Sequence, residues 1–189
     1  MIILAAGVLV FVLLHGVAAV PRYKSYIKSR MGERWYSPAF GVASLIAIAV
    51  IVLGWRSSSF VAVYDPPSWG WYVNYVLTFV GFLCLGVFLF RGGLRQRLRF
   101  PMGIATVFWA AGHLFANGDL AGLILFGGLL LGSVAHMAVA VANGIRPSSE
   151  VRVGHDGLSF IFGAALYGIM TQLHPAVIGV PIFAISKAG

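Results

Sequence analysis

Long apolar stretches separated by short polar segments account for most of this chain. A helix that spans a bilayer needs about 20 consecutive, mostly apolar residues. Six stretches come close to that length: residues 2–20, 39–55, 71–90, 101–116, 119–143 and 158–174. We expect the last to end before Pro175 and Pro181, because proline lacks the amide hydrogen that a helix interior needs. The pattern predicts an all-α fold, a polytopic membrane helical bundle of about six transmembrane helices that forms one domain over residues 1–189.

The basic residues between these stretches predict how the bundle is oriented. Cytoplasmic loops carry an excess of lysine and arginine. With the N-terminus outside, only Arg56 and Lys187 lie on the outer side, and the other eleven of the 13 lie on the inner side. The inner ones are Arg22, Lys24, Lys28, Arg30, Arg34, Arg91, Arg95, Arg97, Arg99, Arg146 and Arg152. Residues 1–3 lack the positive charge that starts a cleavable signal peptide, so we expect the first stretch to be a retained helix.

Three of the polar segments allow predictions of their local structure. Residues 21–38 are basic with aromatic residues at intervals, so this inner segment either lies along the anionic inner leaflet as a short amphipathic piece or is a solvated loop. Residues 64–69 contain two consecutive prolines and predict a rigid outer turn. The run Asn117-Gly118-Asp119 predicts a tight turn between two helices, in which Asp119 caps the second helix.

Small residues in the fifth apolar stretch predict close helix packing. Gly128 and Gly132 lie four residues apart, and Gly127 and Ser133 are adjacent to them. Positions three and four apart lie on the same side of a helix. Small side chains there allow a neighbouring membrane helix to approach closely. We therefore expect this stretch to pack against another helix with little space between the backbones.

Composition confirms the membrane class and excludes several others. The chain is 60% hydrophobic and only 10% charged, whereas soluble domains average about 25% charged residues. The net charge of +8 does not indicate nucleic-acid binding, because the basic residues flank apolar runs instead of forming a stripe on a soluble module. Cys84 is the only cysteine, so neither an internal disulfide nor a thiolate metal cluster is possible within one chain.

The acidic residues argue against several kinds of function. All five carboxylates fall in loops or at helix ends: Glu33, Asp65, Asp119, Glu150 and Asp156. Proton-coupled transporters usually need carboxylates within the membrane as proton relays, so a transporter is the weakest of the functional hypotheses. Hydrolysis by paired carboxylates or by a Ser-His-Asp triad is disfavoured for the same reason.

Four of the five histidines lie inside predicted helices and are the main candidates for chemistry. They are His15, His113, His136 and His174, whereas His155 lies in an inner loop. Any one of them can simply bond a neighbouring helix, but four together favour a cofactor for at least two. Imidazoles without carboxylate or thiolate companions make a poor closed zinc site, yet two of them suit the axial positions of haem iron. No Cys-x-x-Cys-His motif is present, so the haem would be of the b type.

The helical face around His113 is the most informative of the four. Thr106, Trp109, Ala110 and Asn117 share this face at steps of three and four residues. Asn117 and Thr106 are the candidates to hold the imidazole ring, and the small Ala110 leaves room for a flat macrocycle beside it. We therefore expect this face to contact the cofactor.

Several motifs, in order along nearly the whole chain, resemble the NnrU family. The most specific is Trp109-x3-His113-Leu-x-Ala-Asn-Gly-Asp119. The others are Phe11-Val-Leu-Leu-His15-Gly16, Tyr64-Asp-Pro-Pro-x-Trp69, Pro101-Met102 and Leu173-His-Pro-Ala-Val-Ile-Gly-Val-Pro181. The resemblance implies a polytopic protein of the bacterial plasma membrane, associated with nitrite and nitric oxide metabolism in denitrifying bacteria.

The resemblance also implies a cofactor and a ligand pair. The family includes the plant zeta-carotene isomerase, which uses haem b to isomerise a cis double bond in a carotenoid. Its ligand histidines match His15 and His113, so the resemblance implies these two as axial ligands. Two departures exist: Phe100-Pro101 replaces a His-Pro that relatives often have, and Ala110 replaces a cysteine of the plant enzyme. The second departure removes a possible thiolate ligand.

The predicted depths of the histidines favour different pairs. At 1.5 Å per residue, His15 lies about 20 Å from the outer surface and His113 about 6 Å. Two nitrogens on opposite faces of one iron lie only about 4 Å apart. By depth, His113 pairs with His174 near the outer face, and His15 pairs with His136 near the inner face. These two pairs remain as rivals to the pair that the resemblance implies.

The sequence therefore predicts an integral membrane protein that binds haem b. The leading hypothesis is an accessory protein that supports nitrite and nitric oxide metabolism, with a small gas as the haem ligand. The alternative is an enzyme, a haem-dependent cis-trans isomerase of a carotenoid-like polyene, for which the lipid bilayer is the natural solvent. Haem, lipid and either a gas or a polyene are the expected partners.

Overall fold

A bundle of helices makes up the computed structural model, which describes residues 1–146, 150–180 and 182. In these ranges the helices are α1 (Ile2–Ala18), α2 (Pro21–Met31), α3 (Glu33–Arg56), α4 (Gly70–Leu89), α5 (Gly93–Leu98), α6 (Pro101–Ala116), α7 (Leu120–Ala142) and α8 (His155–Ile178). None of the described residues belongs to a β-strand, which confirms the all-α class. Pro181 and Lys187, named above, lie outside the described residues.

All six predicted apolar stretches are helical, but they differ in length. Helices α3, α4, α7 and α8 have 20 to 24 residues and are long and apolar enough to cross a membrane. Helix α1 has 17 residues and joins α2 across a bend of 94°, and this pair gives a fifth candidate span. Helix α6 has 16 residues, which corresponds to about 24 Å of helix. It is therefore shorter than the hydrocarbon core of a typical bilayer, about 30 Å.

Two helix boundaries differ from those predicted, because proline is tolerated near a helix end. Helix α3 begins at Glu33, six residues early, and includes Pro38. Helix α8 continues through Pro175 to Ile178. Each proline removes a single backbone hydrogen bond. The residue after the helix, Gly179, ends it. Its φ of 88° is left-handed and its N–H donates to the Pro175 carbonyl at 3.0 Å, as glycine commonly does at helix ends.

The basic segment 21–38 is helical throughout most of its length. It consists of α2 and the first turns of α3, separated by Gly32 with a φ of 87°. None of the residues of α2 is buried. Pro21 begins the helix, a position where its missing N–H costs nothing. The segment is therefore mostly helical, and its first helix, α2, turns sharply away from α1.

The core lies between α1, α3, α6 and α7. Leu4 of α1 is completely buried, and Ile51, Ala110 and Phe126 belong to the same cluster of buried side chains. Residues Leu123–Gly127 of α7 form a π-helical turn, which is wider than a regular turn. Such turns are rare and occur frequently at functional sites. This one places Phe126 in the core opposite α6.

Glycines allow the helices to approach closely, as predicted for α7. A Cβ atom added to Gly128 would lie 2.7 Å from Val8, and one added to Gly132 would lie 2.5 Å from Val12. Both neighbours belong to α1, so α1 and α7 pack with little space between them. The prediction from small-residue spacing is therefore confirmed for these two positions.

Helix α4 makes its two closest contacts at opposite ends. A Cβ atom on Gly70 would lie 1.9 Å from the Phe115 carbonyl oxygen of α6, and one on Gly86 would lie 2.0 Å from the Ser159 carbonyl oxygen of α8. The Gly70 N–H also donates to the Pro67 carbonyl at 2.8 Å, which closes the turn expected at residues 64–69. Helix α4 thus holds α6 at one end and α8 at the other.

Candidate cofactor site

A cavity opens between α3, α4, α6, α7 and α8 near the turn that joins α6 to α7. We call this the outer cavity, after the predicted orientation. It encloses about 1040 Å³ of space when the open solvent at its mouth is included. Its aromatic lining residues are Trp55, Trp71, Tyr75, Phe82, Trp109, Phe126 and Tyr167. Among the described residues no Asp, Glu, Lys or Arg lines it.

His113 lines this cavity, and its imidazole ring is held on three sides. Its Nδ1 lies 2.8 Å from the carbonyl oxygen of Trp109, one turn earlier in α6. A carbonyl oxygen can only accept, so Nδ1 carries the hydrogen and donates it. Phe126 stacks on the ring at 4.5 Å between centroids, and the Trp109 ring lies 4.9 Å away. In the neutral ring, Nε2 therefore keeps the lone pair that a metal would bind.

His174 reaches the same cavity from α8. Its Nδ1 lies 2.7 Å from the carbonyl oxygen of Val180, which the left-handed Gly179 directs back toward the helix. The same reasoning makes Nδ1 the donor and leaves Nε2 with a lone pair. Two imidazoles from different helices thus line one apolar cavity, each fixed through a backbone carbonyl.

His15 and His136 meet at the opposite end of the bundle. The His15 Nδ1–H donates to the Phe11 carbonyl at 2.9 Å, and its ring stacks on the Phe11 ring at 4.2 Å. The His136 Nδ1–H donates to the carbonyl oxygen of His15 at 3.0 Å. Neither residue lines the outer cavity. His15 and His136 are therefore joined by a hydrogen bond to the backbone of α1, whereas His113 and His174 line the same cavity.

The arrangement follows the pairs that depth favoured. His113 lies with His174, and His15 lies with His136. Within the described part of the chain, no hydrogen bond or ring contact joins His15 to His113. Nor do the described residues include a group of three or more His, Cys, Asp or Glu side chains placed to hold a metal ion. Which pair ligates a metal stays a prediction.

The prediction that Asn117 or Thr106 holds the His113 ring is wrong. The Asn117 side chain donates to the His113 carbonyl at 2.8 Å, and the Thr106 hydroxyl donates to the Met102 carbonyl at 3.1 Å. Both side chains therefore bond the helix backbone, and the Trp109 carbonyl holds the ring. The cause is local, since the carbonyl four residues back lies within reach of a side-chain donor on a helix. Trp109 and Asn117 still line the cavity with His113.

The turn between α6 and α7 fixes the outer end of the cavity. Asp119 caps α7, because its carboxylate accepts the Gly122 N–H at 3.2 Å, which confirms the predicted cap. The Gly118 carbonyl accepts the N–H of Val63 at 2.8 Å. The residues between α3 and α4 are therefore bonded to the turn that follows His113. The predicted tight turn at Asn117-Gly118-Asp119 is confirmed, and it is supported from a second segment.

Tyr64 adds a side-chain bond to the same junction. Its hydroxyl donates to the carbonyl oxygens of Leu114 and Asn117, and the second contact measures 2.7 Å. Leu114 lies in the last turn of α6, where the carbonyls have no amide partner within the helix, and Asn117 directly follows that helix. Burial and the nearby negative charge of Asp119 raise the pKa of Tyr64 above its usual value. The hydroxyl therefore keeps its proton and remains a donor.

Two contacts of histidines have no local signal in the sequence. Nothing in an apolar run marks Phe126 as the residue that stacks on His113, because stacking depends on the π-helical turn of α7. His155 was expected in an inner loop, but it begins α8 and its Nδ1 accepts the Arg91 N–H at 3.1 Å. A hydrogen bond between residues 64 positions apart has no local signal.

The fold and the histidine-lined cavity define the class: an all-α membrane bundle with a histidine-lined cavity between its helices. The family model described as NnrU protein matches residues 3–182 of the 189-residue chain. The chain therefore belongs to the NnrU family, as its motifs indicated. No curated protein and no solved structure matches it.

Proposed function

We propose that this NnrU-family membrane protein binds haem b in the outer cavity, where His113 and His174 would hold the iron. The observation that carries the proposal is that both imidazoles line one apolar cavity while their Nδ1–H groups are occupied by carbonyls. Ligating histidines usually donate the other ring N–H in this way, which orients the ring and raises its basicity.

The walls of the cavity support the proposal for the apolar part of the group. A porphyrin has large apolar faces, and the aromatic walls formed by Trp55, Phe82 and Phe126 would cover them and exclude water. The backbone carbonyl of Trp109 and the ring of Phe126 fix the orientation of His113. When bound, haem would supply an iron that can carry an electron, or bind a small gas once one of the two imidazoles leaves it. The protein's part is to hold the group, orient both imidazoles and keep the site dry.

The process served by the haem is nitrite and nitric oxide metabolism, as the family resemblance implies. A neutral diatomic gas crosses an apolar environment readily, and no charged side chain among the described residues lines the outer cavity. A strain that lacks the gene should grow poorly on nitrite. Normal growth of that strain, with haem present in the purified protein, would leave haem binding intact and count against this role.

Optical spectroscopy of the purified protein tests haem binding. The full chain, expressed with haem supplied, should show a Soret band and should change its spectrum on reduction. Replacing His113 or His174 by Ala should remove or shift the band, while His15→Ala and His136→Ala should not. Full helicity without a Soret band would sink the proposal. Loss of the band in His15→Ala but not in His174→Ala would favour the pair that the resemblance implies.

A cis-trans isomerase of a polyene is the second candidate. The observation that favours it is that aromatic side chains, among them Trp71 and Tyr167, line a cavity that is open on one side. Planar conjugated chains stack on such rings. Supplying the haem-loaded protein with tri-cis zeta-carotene and measuring isomer ratios tests this candidate. An unchanged ratio would exclude it for this substrate.

A further inference from the structure

A second pocket lies at the end of the bundle opposite the outer cavity and is lined by arginines. We call it the arginine pocket. It has a volume of about 570 Å³ counted to its mouth and lies between the ends of α4 and α7 and the first turns of α5 and α6. Arg95, Arg99 and Arg146 line it together with His136. Among the described residues, none of those that line it is acidic. The pocket therefore concentrates positive charge without an internal counterion.

Arg99 is held in this pocket by an unusual backbone conformation. Its φ of 59° and ψ of −49° make it the only residue other than glycine with a positive φ in the described ranges. The Phe100 N–H donates to the Leu98 carbonyl at 2.6 Å, which closes a tight turn of the rare, strained γ type. The guanidinium Nε and Nη2 both donate to the Ile145 carbonyl, at 2.9 and 2.7 Å. Such strain persists where the surroundings enforce it, commonly at ligand sites.

Two carboxylates on the same side of the bundle bind other groups. Glu150 forms an ion pair with Arg91. Asp156 accepts the backbone N–H groups of Gly93 and Leu94 at 3.1 and 3.0 Å. In the described part of the chain, no ion pair involves Arg95, Arg99 or Arg146. An external anion is therefore the group that would balance their charge.

We propose that the arginine pocket binds a phosphate group, carried by the head group of an anionic phospholipid or free in the cytoplasm. Guanidinium groups match phosphate oxygens with paired hydrogen bonds. The first turn of α6, which begins at Pro101 and has no side-chain cap, adds the partial positive charge of a helix N-terminus.

The lining of the pocket makes a lipid the expected source of that phosphate. Phe88, Phe100 and Met102 line it beside the arginines, so a ligand with both an anionic head and an apolar body would contact both kinds of surface. Basic pockets between membrane helices on the cytoplasmic side bind anionic head groups in this way. The predicted orientation places the pocket on that side.

Lipid binding to the full chain in detergent tests the proposal. Cardiolipin, which carries two phosphodiesters, and the net-neutral phosphatidylcholine are titrated and bound lipid is measured by native mass spectrometry. Cardiolipin should bind more tightly. Arg95→Gln and Arg146→Gln should each raise its Kd about fivefold, since each arginine near a membrane surface contributes about that factor. Arg97→Gln is the matched control, because Arg97 lies on the same short helix but does not line the pocket.

A second arm distinguishes the two sources of phosphate. Inorganic phosphate alone is added and thermal stability is followed in the parent and the same variants. Stabilisation by phosphate that the pocket variants lose, with no preference for cardiolipin, assigns the site to a free anion. Equal binding of both lipids together with no effect of phosphate would overturn the proposal, and so would an Arg97→Gln variant that behaves like Arg95→Gln. These readouts do not depend on haem.

Discussion

The two ends of the bundle each bring two histidines together, but in different surroundings. At the outer end, His113 and His174 share a cavity with aromatic walls. At the inner end, His136 bonds the backbone of His15 and lines a pocket with three arginines. All four rings donate Nδ1–H to a carbonyl, so the imidazoles themselves are alike. Only the neighbours differ: an apolar wall would suit the flat, mostly apolar group proposed for the outer end, and guanidinium groups would suit the anion proposed for the inner end.

Replacing His113 should have the largest effect on haem binding. His113→Ala is expected to weaken haem binding by about a hundredfold, because substitutions one layer further out already cost 10–100-fold in metal affinity. The measurement is a haem titration followed at the Soret band.

His136→Ala is the matched control, since His136 is also half-buried and bonded to a carbonyl. It should change haem affinity little. If the two variants lose haem equally, the distinction between the two ends is wrong.

The two ends of α4 contact different helices, so a substitution at each end should affect only one of the two regions. Gly70→Ala should destabilise the protein by about 1–3 kcal/mol, because its Cβ would meet the Phe115 carbonyl at 1.9 Å, and it should also weaken haem binding. Gly86→Ala should destabilise by a similar amount, because its Cβ would meet the Ser159 carbonyl, but it should spare haem. Thermal unfolding in detergent measures both.

Gly168→Ala in α8 provides the comparison for these glycine variants. No atom lies within 4 Å of a Cβ added there. Because alanine favours a helix over glycine by up to about 1 kcal/mol, this variant should be neutral or slightly more stable. A large loss of stability in Gly168→Ala would show that close packing is not the cause.

The Tyr64 hydroxyl should contribute a smaller, pH-dependent amount to the outer end. Tyr64→Phe removes a donor shared by two carbonyls and is expected to cost about 1–1.5 kcal/mol. The folded protein holds this proton more tightly than the unfolded chain does, since burial and Asp119 raise the pKa. Its contribution is therefore complete below a pH of about 10 and is lost as the pH rises through the folded-state pKa.

Thermal unfolding at a series of alkaline pH values tests this dependence. The parent should lose stability above the ordinary pKa of tyrosine faster than Tyr64→Phe does. Parallel curves for the two proteins would contradict the assignment.

The helix cap at Asp119 should have the smallest effect. Asp119→Ala is expected to cost about 1 kcal/mol, the usual value for a lost cap. Asp119→Asn should keep the cap, because asparagine is an equally good capping residue. The neutral side chain should also bring the pKa of Tyr64 closer to its usual value, which ultraviolet titration of the tyrosines would detect. An Asp119→Asn variant as unstable as Asp119→Ala would contradict the capping role.

Local chemistry explains which features the sequence predicted. The cap at Asp119 and the turn through Gly118 depend on neighbouring residues only, and both are found as expected. Counting residues from the predicted membrane surface placed His113 and His174 at similar depth, and both line the outer cavity. Periodicity and length were enough for the helices, and the local residue types were enough for the cap and the turn.

Features that depend on distant contacts were not predictable. Helix α8 continues past Pro175 and ends where Gly179 takes a left-handed conformation. In the sequence, the proline was a stronger signal for the helix end than the glycine. The arginine pocket was hidden because Arg95 and Arg99 look like ordinary loop charges in the sequence. Their convergence requires the strained turn at Arg99 and its bond to Ile145, 46 positions away. Sequence patterns report composition and spacing but not such contacts.

The wide turn Leu123–Gly127 of α7 has a consequence for how this family can vary. It holds Phe126 against His113 on one side, while Gly128 and Gly132 meet α1 further along the same helix. Because a π-helical turn holds one more residue than a regular turn, deleting one residue there would leave a regular turn and nearly the same direction for the rest of the helix. A deletion between Gly128 and Gly132 would instead rotate the remainder of the helix by about 100° and turn Gly132 away from α1. Helix α7 can therefore shorten by one residue at the wide turn but not between these two glycines.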